Sequence, residues 1–155
     1  RCVNEDSKYS NINMCKKNLL DKIPISNKQI YKISINKKNP KKISRDYEKI
    51  IKKYFLRKKI SFDLILLGIG NDGHIASLFK DNVNKKNKKI VDFVKRKDFS
   101  RVTLTLKCLN SSKNIFLWAP GKSKSNIVKK IISDRKLSYP ASFLKIKNKF
   151  LFHSN

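Results

Sequence analysis

The chain contains two histidines, His74 and His153, and only His74 follows a glycine-rich turn. The stretch FDLILLGIGNDGHIASLF, residues 62–79, carries Gly68, Gly70 and Gly73, three of the four glycines, with Asp72 and His74 set among and after them. A histidine leaving such a turn has few local packing duties, so its imidazole can swing into a cleft. The ordinary imidazole pKa of about 6.5 suits a general base at neutral pH. Asp72, two residues earlier, can orient that ring or bind a sugar hydroxyl. On spacing alone, a base and a structurally satisfied histidine fit equally well. His153 sits in a strand-like segment and reads as structural. A phosphorylated substrate would need cations and backbone donors aimed at one spot. The candidates are Arg101, at the start of an alternating segment, and Lys124 or its competitor Lys122, both just past Gly121. The Gly121–Lys122–Ser123–Lys124 turn is not a nucleotide P-loop, because the upstream glycine of that motif is missing.

Positioning these groups is the task of the surrounding elements. The apolar run Leu64–Leu67 enters the glycine turn as a buried strand would, placing the polar residues at the carboxyl edge of a sheet, where open α/β sheets hold ligands. Ser77 then reads as the opening of a helix. Upstream, residues 1–9 read as the end of a strand running into a polar loop. Ser10 reads as the cap of a helix with Ile12, Cys15, Leu19 and Leu20 on one side. IYKISI (30–35) is a short strand candidate inside a connection from Pro24 to Lys42. Beyond Pro40, Ser44 is a candidate cap, and Tyr47, Ile50, Ile51, Tyr54 and Phe55 form a helical stripe that reads as ordinary core packing. Downstream, 81–89 is a polar, basic loop, IVDFV (90–94) a short element and RVTLTLKCL (101–109) an alternating strand. NIFLWAPG (114–121) is a strand stopped by Pro120–Gly121. Ser123 or Ser125 caps a helix carrying Ile127, Val128, Ile131 and Ile132, and KFLFH is the last strand. Strands alternating with helices predict one α/β domain over 1–155, a mostly parallel sheet with helices on both faces in a Rossmann-like three-layer arrangement.

Composition sets the class. With 39% hydrophobic residues the chain reads as globular, and no apolar run is long enough to span a membrane. The formal charge of +27 raises a nucleic-acid-binding module as an alternative. The cations are mostly lysines interleaved with Asn and Ile, however, and the six arginines (Arg1, Arg45, Arg57, Arg96, Arg101, Arg135) are dispersed. That pattern reads as a bias toward AT-rich codons with Lys filling solvated positions, so no specific nucleic-acid partner is expected. The charge still implies salt-sensitive adhesion to polyanions and attraction of anionic substrates. Cys2, Cys15 and Cys108 are odd in number and match no zinc spacing, which reads as reduced thiols of a cytoplasmic protein.

Five segments, in order, resemble one family. GIGNDGHIASLF resembles the 6-phosphogluconolactonase signature, which usually reads Gly-x-Gly-x-Asp-Gly-His-x-Ala-Ser-Leu-Phe. Arg1-Cys2-Val3 with Ser10-Asn11, Arg101 to Thr105 (Arg-x-Thr-Leu-Thr), Gly121 to Lys124 (Gly-x-x-Lys), and Pro140-Ala141-Ser142 match further family segments. The resemblance implies hydrolysis of 6-phosphoglucono-1,5-lactone, the second step of the oxidative pentose phosphate pathway, with no metal or organic cofactor. It implies His74 as the base that activates water and Asp72 as its orienting partner. Arg101 and Lys124 would hold the 6-phosphate, with Arg1, Gly70 and Gly73 lining the same substrate pocket. Glucosamine-6-phosphate deaminases share the fold and the Asp-Gly-His turn and are the runner-up. Their His is followed by Ile-Ala-Phe-Asn-Glu-Pro, whereas Ser77-Leu78-Phe79 supplies no carboxylate. Asn71 and Lys80 depart from the family pattern at positions not expected to carry chemistry. The family's upstream segment, with its Ser-Gly-Gly-Ser-Thr-Pro-like phosphate loop, has no counterpart in 1–155. The chain therefore reads as a fragment, expected to expose sheet and to lack half of the phosphate site.

Overall fold

A computed structural model describes residues 1–35, 39–56, 58–145 and 147–154. Arg57 and the centre of the Pro24–Lys42 connection lie outside the described residues. Three strands, β1 (Leu64–Gly68), β4 (Asn114–Trp118) and β5 (Asn148–Phe152), form a parallel sheet in the order β1-β4-β5. The register aligns Leu67 with Leu117 and Leu151, and Leu66 with Phe116 and Phe150. Because side chains alternate across a strand, Leu67, Ile115 and Leu117 point into the main core together with Ile65 and Leu151. That core is completed by Leu106 and Leu109 of α3 (Leu106–Asn110), Ile127 and Val128 of α4 (Ser125–Ile132), and Ile69, Ile75 and Leu78 of the glycine-rich loop. The α/β class with a parallel sheet is as expected.

The sheet's other face is bare. Leu64, Leu66, Trp118, Phe150 and Phe152 are 52, 69, 51, 50 and 42% exposed. Among the described residues their rings stack on one another, Trp118 on Phe152 at 4.4 Å and Phe116 on Phe150 at 5.6 Å between centroids. Parallel sheets are ordinarily covered on both faces.

A second layer stands beside the sheet. Strands β2 (Val91–Val94) and β3 (Arg101–Leu104) pair antiparallel. Helix α2 (Pro40–Tyr54) packs on them through Ile51, with Tyr47 and Phe55. Glu48 fastens the two elements, its Oε2 accepting the N–H groups of Ile90 and Val91 at 3.2 and 3.1 Å. Helix α3 bridges the two layers, since Cys108 belongs to this cluster while Leu106 and Leu109 face the main core.

Several local expectations are corrected. Residues 1–9 form turns and not a strand end, with Cys2 N–H donating to Ser100 O at 2.8 Å beside β3. α1 (Asn11–Asn18) is capped by Ser10 as expected, but buries none of its residues; Cys15 and Leu19 are exposed. IYKISI runs extended without a ladder and is held by side chains instead, Lys32 to Glu5 at 2.6 Å and the Tyr47 hydroxyl to Tyr31 O at 3.1 Å. Asn39, not Ser44, caps α2, because Pro40 takes the first helical position and the Asn39 side chain accepts the N–H groups of Lys41 and Lys42. Ser44 lies inside the helix and donates to Lys41 O. The strand expected over 101–109 stops at Leu104. The Thr105 hydroxyl accepts the Cys108 N–H and starts α3, which buries Leu106, Cys108 and Leu109. Ser77 opens no helix: residues 75–78 close a tight turn with Ala76 at φ 50°. Neither Ser123 nor Ser125 caps α4; Ser125 is its first residue and its Oγ faces His153 Nε2 at 3.1 Å.

Candidate active site

β1 delivers Ile69 (3% exposed) into the core, and the chain then folds back on itself. Gly70 N–H donates to His74 O, Gly73 N–H donates to Gly70 O, and Ile69 pairs with the fully buried Ile75. The turn between these clamps lifts Asp72, Gly73 and His74 out of the sheet edge. The His74 Nδ1 lies 2.6 Å from Asp72 Oδ1, and the His74 backbone N–H donates to the same oxygen at 3.2 Å. A carboxylate oxygen can only accept, so Nδ1 carries a proton, and in the neutral ring it is Nε2 that holds the lone pair. Burial pushes the Asp72 carboxyl up, but the side-chain and backbone hydrogen bonds from His74 outweigh it and hold Asp72 below the usual carboxylate range. An ionised aspartate behind a neutral imidazole is the arrangement in which the ring can take a proton at Nε2 and the resulting cation is stabilised.

Two glycines make this contact possible for different reasons. A Cβ at Gly70 would sit 2.0 Å from His74 Nδ1 and 2.6 Å from Asp72 Oδ1. Gly73 has φ +79°, and a Cβ there would meet Tyr139 at 2.6 Å. Both glycine N–H groups are engaged inside the loop, Gly70 with His74 O and Gly73 with Gly70 O, and both positions leave room for the pair to approach. Tyr139 is itself fixed, its N–H donating to Asp134 Oδ2 at 3.0 Å, while Ala141 N–H donates to Gly73 O at 3.2 Å. The Tyr139–Ser142 segment thus buttresses the histidine turn.

The cations divide. Lys124 reaches the loop, its Nζ donating to Ile69 O at 2.8 Å and to Asn71 Oδ1 at 2.6 Å. Lys122 is exposed. Arg101 joins the histidine through a ring: Phe79 packs on His74 at 4.4 Å between centroids, and the Arg101 guanidinium lies 5.4 Å from the same ring. Arg101 pairs with Asp98, and its buried Nε has no acceptor among the described residues. Arg1 donates to Tyr9 O and lies over the Phe99 ring. His153 is structural as expected, Nδ1 donating to Ala119 O at 2.6 Å. Asn71, Phe79 and Tyr139 acquire roles that their local sequence does not display.

Fold and loop together define a class: an α/β protein with an aspartate-held histidine at the carboxyl edge of a parallel sheet. Residues 1–152 match the family of glucosamine-6-phosphate isomerases/6-phosphogluconolactonase. The chain belongs to that family. It is 34% identical over 141 residues to human 6-phosphogluconolactonase, spanning 87% of this chain and 54% of that protein. It is 32% identical over 151 residues to a rice protein described as probable 6-phosphogluconolactonase 4, chloroplastic, covering 89% of this chain and 46% of that one. Among solved structures, 6-phosphogluconolactonase from Thermotoga maritima superposes with a TM-score of 0.83 at 30% identity, over 99% of this chain and 68% of the other. A structure described as devB protein superposes at 0.88 with 26% identity, over 99% and 67%. The chain therefore spans about half the length of the curated relatives it matches. No helix among the described residues is long and apolar enough to cross a membrane.

Proposed function

We propose that the protein hydrolyses 6-phosphoglucono-1,5-lactone to 6-phosphogluconate. The observation that carries this reading is the Asp72–His74 contact, which engages Nδ1 and leaves Nε2 as the nitrogen that can act as a base. The names of the relatives support the choice of substrate. In the reaction His74 Nε2 removes a proton from water as its oxygen bonds to the lactone carbonyl carbon. Asp72 stabilises the imidazolium while negative charge gathers on the carbonyl oxygen. That intermediate collapses by breaking the bond from C1 to the ring oxygen, which recovers the proton from His74 and leaves as a hydroxyl. A lactone is an activated ester, so one positioned base goes far. Arg101 and Lys124 are assigned to the 6-phosphate and Arg1 to the pocket rim. The three unpaired thiols support a reducing compartment such as the cytoplasm. The reading is tested by lactone hydrolysis, corrected for spontaneous opening, with and without His74→Ala. Activity that survives the substitution overturns His74 as the base. Ammonia released from glucosamine 6-phosphate would point to the deaminase branch instead, where Ser77-Leu78-Phe79 offers no carboxylate.

We further propose that residues 1–155 are one α/β domain that, alone, lacks part of the family fold. Support comes from the bare face of the parallel sheet and from the third of the solved relatives' length that this chain does not span.

A further inference from the structure

Phe79 is buried, with only 7% of its surface exposed, yet three polar groups crowd its ring. His74 and Arg101 are two of them. The third is Arg96, whose guanidinium stacks 4.3 Å from the Phe79 centroid, closer than Arg101 at 5.4 Å. Arg96 lies in the loop between β2 and β3 and is oriented from outside by Asp81, which accepts from Nη1 at 2.5 Å. Asp81 is its sole hydrogen-bond partner among the described residues, so the remaining guanidinium N–H groups are available. Beside the stack opens a depression of about 570 Å³ lined by Phe79, Asp81, Lys95, Arg96, Lys97, Asp98 and Arg101. Four cations face two carboxylates there, and the two carboxylates are already committed to the two arginines.

We propose that Arg96 is a specificity-determining residue that, together with Arg101, binds the phosphate monoester of the substrate. A guanidinium held over an aromatic ring can still present an N–H edge, and that edge matches two phosphate oxygens in a way an ammonium does not. Phe79 is the spacer. With the His74 ring at 4.4 Å on one contact and Arg96 at 4.3 Å on another, base and anion site stand no further apart than one hexose phosphate can bridge. The carbonyl carbon then meets Nε2 while the phosphate sits at the guanidinium pair. Asp81 is a positioning residue, because its one hydrogen-bond partner among the described residues is Arg96.

This inference rests on the sugar-phosphate reading above, and its test separates the two. Inorganic phosphate is titrated into the protein at low salt and followed through the side-chain N–H resonances of Arg96 and Arg101. Arg96→Gln is expected to weaken phosphate binding about tenfold or more, the scale of one charge-assisted hydrogen bond. Arg96→Lys is expected to recover only part of it, and Lys136→Gln, away from the depression, to change nothing. In turnover, Arg96→Gln raises KM for the phosphorylated lactone while kcat holds, and leaves hydrolysis of unphosphorylated gluconolactone unchanged. Unaltered phosphate affinity in Arg96→Gln overturns the proposal, as does an equal loss in Lys136→Gln. An equal fall of kcat on both lactones also overturns it, since Arg96 would then act only through Phe79 on His74. Phosphate binding intact without any lactone hydrolysis would instead sink the reaction assigned above.

Discussion

At the scale of single residues, Gly70 and Gly73 make opposite predictions although both lie in one turn. The Gly70 position is closed by His74 and Asp72, two side chains that are 29 and 59% exposed and can swing away. Gly70→Ala should therefore separate the imidazole from its carboxylate, cutting turnover roughly a hundredfold or more. Thermal stability should move by no more than about 1 kcal/mol, as at other yielding sites. Gly73→Ala meets Tyr139 in a left-handed conformation and should cost stability as well, on the order of 1–2 kcal/mol. Parallel melts and lactonase assays distinguish the two. Asp72→Asn should lower kcat with little change in KM, because the amide can hold the ring through its Nδ2 with the wrong nitrogen protonated. Asp72 and His74 were legible in the sequence because a glycine turn declares itself locally. Asn71 was not, since its partner Lys124 lies 53 residues away. Phe79 stands in the sequence only as part of the signature, and the fold alone shows His74, Arg96 and Arg101 meeting on it.

Whole elements were legible where period and length agreed. Helix α2 and strands β1 and β4 form where their patterns predict, but of the α2 stripe only Ile51 is buried while Tyr54 is 59% exposed, and β1 leaves Leu64 and Leu66 exposed. Alternation misled at Thr105: RVTLTL keeps its period of two past the point where β2, four residues long, stops offering a partner. The chain then turns helical under the Thr105 cap, burying Leu109 completely. Leu109→Ala should cost about 2–5 kcal/mol, measured by denaturant unfolding, because the main core closes over that position. The join between α2 and β2 carries a pH dependence. Burial pushes Glu48 up, but Lys52 and the N–H groups of Val91 and Ile90 outweigh it and leave the carboxyl below its ordinary value. Glu48 therefore contributes stability above the unfolded carboxyl pKa, and that contribution is lost as pH falls through the depressed folded value. Hydrogen exchange at Ile90 and Val91 should accelerate in that acid window in the parent protein and be insensitive to it in Glu48→Gln. The neighbouring Cys108 thiol is pushed up to about 12, by burial and then by Glu48, so it should resist alkylation until the protein unfolds, while the exposed Cys15 reacts at once.

Across the whole molecule, the bare sheet face is the feature the sequence concealed most completely. A run such as LILL reads as a strand buried on both sides, and nothing in its residue types says which neighbour supplies the second cover. Leu64, Leu66, Trp118, Phe150 and Phe152 together form an apolar patch larger than scattered surface hydrophobics would make, and such patches mark interfaces. The charge of +27 opposes self-association of the isolated chain at low salt, so cover by a further polypeptide segment is favoured over a second copy. Residues 1–155 alone should therefore enhance the fluorescence of a hydrophobic dye severalfold, and Leu66→Ser with Phe150→Ser should abolish most of that signal. Adding the portion of the Thermotoga maritima structure that lies outside the matched region should quench the dye and yield a one-to-one complex. A monodisperse, dye-negative monomer would show that the face needs no cover. A dye-negative dimer, disrupted by Leu66→Lys, would assign the face to a second copy of the same chain.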